Sequence, residues 1–261
     1  MSRAPLRIFE TPDEIGAHVA ERILRGAAAA QAAGRRYLVG LPTGRTPRPV
    51  YSAMAAQLAR APQSLAHVTL VMMDEYLIEG TDGFAYAMAP GAPSCHAFTR
   101  VEIVGALNAA LPLDFQIRDA NVWFPDPRDP ASYDTQIRAA GGIDFFLVAS
   151  GAGDGHVAFN PPGSALTSRS RIVTLSEQTR RDNLVTFPGL GTLDNVPRFG
   201  VSVGVATIIG AREAVMLAWG EGKRGTVARM VAASHYEPDW PATLIHDCQQ
   251  AELLVDRAAA P

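Results

Sequence analysis

The chain has 261 residues, 48% of them hydrophobic and 19% charged, and a formal net charge of −3 without any basic run, which argues against a nucleic-acid surface as its main business. Cys95 and Cys248 lie far apart and form no close pair, so no cysteine-rich metal site can be built and a structural disulfide is not expected. The longest apolar stretches, such as Ile143–Ala149, are strand-sized, and Met1–Glu10 has no apolar core of signal-peptide length, so a cytoplasmic protein with no membrane partner is expected.

Short apolar runs alternate with longer amphipathic segments, the pattern of βαβ units and a mainly parallel sheet. Leu6–Glu10 reads as the first strand. Thr11–Ala33 follows as a helix with Ile15, Val19 and Ile23 on its apolar face, Thr11 and Pro12 at its start and Gly34 at its stop. Arg36–Leu41 is the second strand, and a helix beginning near Pro47 carries Val50, Tyr51, Met54 and Leu58 inward. Further strands are expected at Val68–Met73, Asn121–Phe124, Ile143–Ala149, Phe199–Val203, Ala214–Ala218 and Leu253–Asp256. Helices are expected at Asp129–Ala140, Val205–Ala211 and Lys223–Ala233. Glu79–Pro93 is rich in Gly, Pro and Ala with little periodicity and reads as a loop or lid. With no repeat and no low-complexity linker, residues 1–261 are expected to form one doubly wound α/β domain.

Three segments carry chemistry. Leu41–Pro47 joins a strand to a helix, where unpaired backbone N–H groups and the helix dipole suit a phosphate; Gly44 permits close approach, and Thr43 and Thr46 add hydroxyls. A tight turn with Thr46 as helix cap and Pro47 in the first helical position fits the same residues. Asp74 and Glu75 follow the run Val68–Met73, where open α/β sheets place their ligands; a desolvated acid there could move protons at neutral pH. Taken alone, an acidic turn or a helix start is the more ordinary reading of them. The third segment, Ala149–Asn160, runs from a buried strand into a turn with Gly151, Gly153 and Gly155 and then His156, two residues after Asp154. Glycines let a chain fold sharply round a ligand, Asp can orient an imidazole, and histidine is matched to proton transfer near neutrality. No second His or carboxylate stands at metal-ligand spacing, so no metal site is expected. Arg180, after the cap-like Ser176, and Lys223, after Trp219–Gly222, would complete an anion clamp with Thr43–Thr46, although each alone is also an ordinary surface charge.

In this order the segments LPTGRTP, MMDEY, SGAGDGHVAFN, SRSRIVTLSEQTRRDN, VPRFGVSVGVATIIGARE and WGEGK resemble the glucosamine-6-phosphate deaminase and 6-phosphogluconolactonase superfamily. The resemblance runs from Ile8 to Asp256 and is closer to the deaminase branch, since the lactonase branch typically has Arg where this chain has Tyr76. It implies a three-layer αβα fold with a mainly parallel, doubly wound central sheet. It implies that Thr43, Gly44, Arg45 and Thr46, with Arg180 and Lys223, hold a sugar 6-phosphate. Asp74 would carry a proton between C2 and C1, and His156, oriented by Asp154, would serve the ring oxygen; Glu75, Gly151 and Gly153 are further substrate-site candidates. The family reaction turns glucosamine 6-phosphate into fructose 6-phosphate and ammonia with no redox cofactor and no metal. The family includes monomers and larger assemblies, so a homo-oligomer is an admissible state.

This chain departs from the deaminases at Pro161, where they carry the Glu that partners the catalytic His in ring opening, and Pro brings neither a charge nor a backbone donor. Arg45 also replaces a small residue, and Gly153 stands where the deaminases usually carry another residue. Three readings follow: an amino-sugar-phosphate deaminase or related isomerase, a hydrolase of a sugar-phosphate lactone, and a sugar-phosphate-binding protein without turnover.

Overall fold

Nearly unbroken apolar runs such as Tyr37–Leu41 and Phe145–Ala149 imply strands covered on both faces. The computed structural model describes residues 3–88 and 93–261 and has that arrangement. Its strands are β1 (Leu6–Phe9), β2 (Tyr37–Leu41), β3 (Val68–Met72), β4 (Asp74–Gly80), β5 (Gly83–Tyr86), β6 (Val122–Trp123), β7 (Phe145–Ala149), β8 (Arg171–Thr174), β9 (Phe199–Ser202), β10 (Glu213–Ala218) and β11 (Ala251–Asp256). The helices are α1 (Pro12–Ala32), α2 (Arg48–Arg60), α3 (Cys95–Phe98), α4 (Ala106–Ala109), α5 (Pro130–Ala139), α6 (Glu177–Thr186), α7 (Val205–Ile209) and α8 (Arg224–Ala232), with a π-helical stretch at Thr99–Gly105 joining α3 to α4.

A seven-stranded sheet in the order β1-β11-β10-β7-β2-β3-β6 is parallel at every pairing. On one face Ile15, Val19 and Ile23 of α1 pack with Val50, Tyr51 and Leu58 of α2 and Leu107 of α4. On the other face lie Tyr133 and Ile137 of α5, Ile208 of α7 and Val227 and Met230 of α8. This is the expected three-layer αβα architecture. Local chemistry accounts for the elements: Thr11 accepts a hydrogen bond from the Glu14 N–H, Pro12 opens α1, and the inward residues of α2 are Val50, Tyr51, Met54 and Leu58, as the helical spacing requires.

The sheet order reverses direction between β2 and β7: β3 and β6 continue one way, and β10, β11 and β1 the other. At such a switch point the loops beyond the carboxyl ends of the two strands diverge and leave a crevice. Here those loops are residues 42–47 and 150–156.

A second, antiparallel sheet in the order β5-β4-β9-β8 was not foreseen. The expected loop at Glu79–Pro93 is corrected accordingly: Glu79 and Gly80 end β4, Thr81 and Asp82 make the turn, and Gly83–Tyr86 form β5. Residues 89–92 of that stretch lie outside the described residues. Asp74 is likewise no turn or helix start, because it opens β4 and pairs with Ser202 of β9. Among the described residues no helix is long and apolar enough to cross a membrane.

Candidate active site

A cavity of about 390 Å³ opens at the β2/β7 switch point. The loop after β2 enters it through Thr43, Gly44, Arg45 and Thr46, all of which line it. The loop is held from behind: the Tyr51 hydroxyl donates to the Pro42 carbonyl at 2.5 Å, and the Trp219 indole N–H donates to the Thr46 carbonyl at 2.8 Å. Among the described residues nothing accepts from the N–H groups of Thr43–Thr46. Pro47 is the N-cap of α2 and no side chain caps it, so the Thr46 hydroxyl is not used as a cap, and the turn-only alternative loses its cap bond. Gly44 takes φ of 95°, in the left-handed region that a glycine enters without strain. Free N–H donors, two hydroxyls and the Arg45 side chain at a helix start can bind a phosphate monoester.

Lys223 lies across the cavity and donates through Nζ to the Ser150 carbonyl. Burial lowers its pKa, with Arg45 pushing the same way and Asp182 and Asp154 opposing. An ammonium kept partly dry and near a second cation gains from an arriving anion.

Because side chains alternate along a strand, Asp74 and Tyr76 of β4 point to the cavity while Glu75 turns away. Asp74 is 7% exposed, and burial, helped by the neighbouring Glu75 charge, pushes its carboxyl up to about 7 against the opposing Cys95 hydrogen bond and the His156 ring. A carboxyl so placed can both take and return a proton near neutral pH. Glu75 does not line the cavity. Its fully buried carboxylate accepts from the N–H groups of Tyr76, Cys95 and His96, from the Ser94 hydroxyl, and lies 2.5 Å from His96 Nδ1. It anchors the start of α3.

His156 lines the cavity, with Nδ1 2.6 Å from Asp154 Oδ1 and 3.1 Å from the Thr179 hydroxyl. Asp154 stands behind the ring and also accepts from the Ser176 hydroxyl at 2.8 Å. Burial would raise its pKa, but the hydrogen bonds and charge of His156, with Ser176, outweigh it and hold the group at about 2. An ionised Asp154 only accepts, so Nδ1 carries a hydrogen and Nε2 is left as the basic nitrogen. Gly151 is required here, since a Cβ would sit 2.2 Å from His156 Nδ1. Gly153 faces Gln178 instead and is not among the lining residues. Ala158 holds φ of 51° where the chain turns from His156 to Phe159, and the Asn160 side chain locks that turn by donating to the Val157 and Val203 carbonyls.

Arg180 is turned away from the cavity in this structure. It is absent from the lining, and its guanidinium donates to the Leu193 and Val196 carbonyls, pinning the segment after α6. The helix explains the placement. Thr179, buried against His156, shares a face with Asp182, Asn183 and Thr186, three, four and seven residues on, and those three line the cavity. Arg180 lies about 100° further round. Asp182, Asn183 and Thr186 are polar lining residues that the sequence reading did not include, and the helical spacing from Thr179 was the available signal. Arg180→Ala is expected to lower stability by about 1–3 kcal/mol, from the lost charged hydrogen bonds to carbonyls, while leaving phosphate affinity within about twofold. Chemical denaturation together with phosphate titration checks both. Among the described residues no group of three or more His, Cys, Asp or Glu side chains converges as a metal site.

The family model for glucosamine-6-phosphate isomerases and 6-phosphogluconolactonases matches residues 10–255. The glucosamine-6-phosphate deaminase of Beutenbergia cavernae is 37% identical over 229 residues, covering 85% of this chain and 80% of that protein. That of Streptomyces avermitilis is 35% identical over 248 residues, covering 89% and 85%. A solved monomeric glucosamine-6-phosphate deaminase superposes with a TM-score of 0.82 at 24% identity over 98% of each chain. The 6-phosphogluconolactonase of Leishmania guyanensis superposes at 0.68 and 18% identity over 98% and 97% of the two chains. The structural matches speak for the fold; the sequence matches go further, and on them the chain belongs to the glucosamine-6-phosphate isomerase/6-phosphogluconolactonase family.

Proposed function

We propose that the chain is an amino-sugar-phosphate deaminase that converts glucosamine 6-phosphate to fructose 6-phosphate and ammonia. The observation that carries this reading is one cavity holding an anion-binding loop, a carboxyl poised near neutrality and an imidazole whose Nε2 has no hydrogen-bond partner among the described residues. The Thr43–Thr46 loop and Lys223 hold the phosphate. His156 Nε2 relays a proton from the C1 hydroxyl to the ring oxygen, and the ring opens to the aldehyde. Asp74 then takes the C2 proton and returns it to C1, while the aldehyde oxygen gains a proton and the amino group gives one up, leaving a C1 hydroxyl and an imine at C2. Water hydrolyses that imine to the ketone and ammonia. The deaminase relatives, whose sequences match along most of the chain, support the choice of substrate.

Pro161 leaves the imidazole with Asp154 as its only carboxylate partner among the described residues. That same feature favours a second reading, hydrolysis of a sugar-phosphate lactone, in which His156 activates water and no ring has to open. Cys95 and Cys248 are free and buried, which suits the reducing cytoplasm in which we place the enzyme. The test is ammonia release from glucosamine 6-phosphate and its C4 epimer by purified protein, beside 6-phosphogluconolactone hydrolysis. Ammonia release is the expected result. Lactone hydrolysis without ammonia would move the chain to the second reading, and sugar-phosphate binding without either product would leave a binding protein.

A further inference from the structure

Asp74 is approached from behind by a side chain that the proposed chemistry does not use. Cys95 Sγ lies 3.3 Å from Asp74 Oδ1 and 3.3 Å from the Thr43 hydroxyl. Cys95 is 1% exposed and does not line the cavity, so it cannot touch a substrate. Its position is set by the other carboxylate of the pair: Glu75 accepts from the Cys95 and His96 N–H groups at 2.9 and 2.8 Å and from the Ser94 hydroxyl at 3.1 Å. Neighbouring residues of β4 therefore have divided tasks. Asp74 faces the cavity, and Glu75, on the opposite side, brings the thiol to Asp74.

The direction of the hydrogen bonds follows from the groups. Burial, with Glu75 and Asp74 nearby, raises the thiol well above its ordinary range, so the sulfur keeps its hydrogen. Of its two neighbours the carboxylate is the stronger acceptor, so S–H points to Asp74 Oδ1 and the Thr43 O–H points to the sulfur. Oδ1 is then occupied, and among the described residues nothing donates to Oδ2. The titratable groups acting on Asp74 are Cys95 from α3, Glu75 from its own strand and His156 from the loop after β7.

We propose that Cys95 is a positioning residue for Asp74, its thiol holding Oδ1 so that Oδ2 is presented to the substrate carbon, and that it ties this carboxyl to the phosphate loop through Thr43. This rests on Asp74 being the proton carrier of the proposed reaction. The test compares wild type, Cys95→Ala and Cys95→Ser in two ways. The first is the pH profile of kcat/KM for ammonia release. The second is the Asp74 carboxyl midpoint by carbon-13 NMR, with Asp74→Asn assigning the signal.

Cys95→Ala removes a donor to the ionised form, so the acid limb and the NMR midpoint are both expected to rise by about half to one pH unit. A hydroxyl can donate as well as a thiol, and Cys95→Ser should return both to within about 0.3 unit of wild type. A merely structural Cys95 would lower the melting temperature and move neither midpoint. Unmoved midpoints in Cys95→Ala, or a serine variant displaced as far as the alanine one, overturn the proposal. The S–H infrared band needs no altered backbone. Assigned by its loss in Cys95→Ser, it should shift to higher frequency in Asp74→Asn, and a band indifferent to Asp74 counts against the hydrogen bond. Wild type that releases no ammonia would refute the deaminase reading, while the NMR and infrared results would still decide Cys95.

Discussion

Asp74→Asn is expected to lower kcat for ammonia release by about 10²–10⁴-fold, the contribution of one positioned acid–base group, while KM changes by less than about threefold. The amide keeps the shape of the carboxylate and cannot accept the C2 proton. Wild type should show an acid limb in kcat/KM with its midpoint near 7, because the carboxyl is pushed up to about 7 and must be ionised to act as base. The same raised pKa makes a stability statement of definite sign. A carboxyl whose folded pKa exceeds its unfolded value favours the fold most below the unfolded value; that advantage is lost as pH rises towards the folded value. At pH 8 the ionised Asp74 therefore opposes folding, and Asp74→Asn should melt higher than wild type. Near pH 4 the two melting curves should converge. A variant that is inactive yet no more stable at pH 8 would show that Asp74 is not held in a desolvated environment.

The second large effect is expected at His156. His156→Gln removes the basic Nε2, and kcat should fall by about 10²–10⁴-fold. Asp154→Asn should cost less, because the imidazole remains and only its orientation and tautomer are released. The pair also separates the two proposed chemistries. Deamination needs both Asp74 and His156, whereas lactone hydrolysis needs His156 to activate water and should survive Asp74→Asn. If Asp74→Asn left lactone turnover intact and wild type released no ammonia, the hydrolase reading would replace the deaminase one.

Much of the fold was legible because its causes are local. Thr11 and Pro12 start α1 by their own hydrogen-bonding and dihedral preferences, and Val50, Tyr51, Met54 and Leu58 mark the buried side of α2 by spacing alone. The central strands β2, β3, β7 and β10 are apolar runs because both their faces are covered. The second sheet was hidden for the opposite reason. β4 begins with two acids and ends exposed, and β5 is a short, partly exposed edge of Gly, Phe, Ala and Tyr. The pairing of β4 with β9 depends on residues far along the chain, although Asp82–Gly83, where the turn enters β5, carried a recognisable hairpin signal.

The sequence by itself determined which segments would gather at the cavity: each of Thr43–Thr46, Asp74 and His156 follows an apolar parallel strand, and such strands deliver their carboxyl ends to one edge of a sheet. Only the tertiary structure decided what those residues become there. It placed the β2 and β7 loops side by side, turned Arg180 away to its carbonyls, and brought Asp182, Asn183 and Thr186 inward instead. It buried Asp74 against Cys95 and Glu75, which sets that carboxyl near 7, and it put Asp154 against His156 and Ser176, which holds that one near 2. Desolvation and hydrogen bonding act through whatever packs within a few ångströms, and some of those neighbours, Cys95 at Asp74 and Ser176 at Asp154, are distant in the chain; periodicity can report which face is buried, but not what it is buried against.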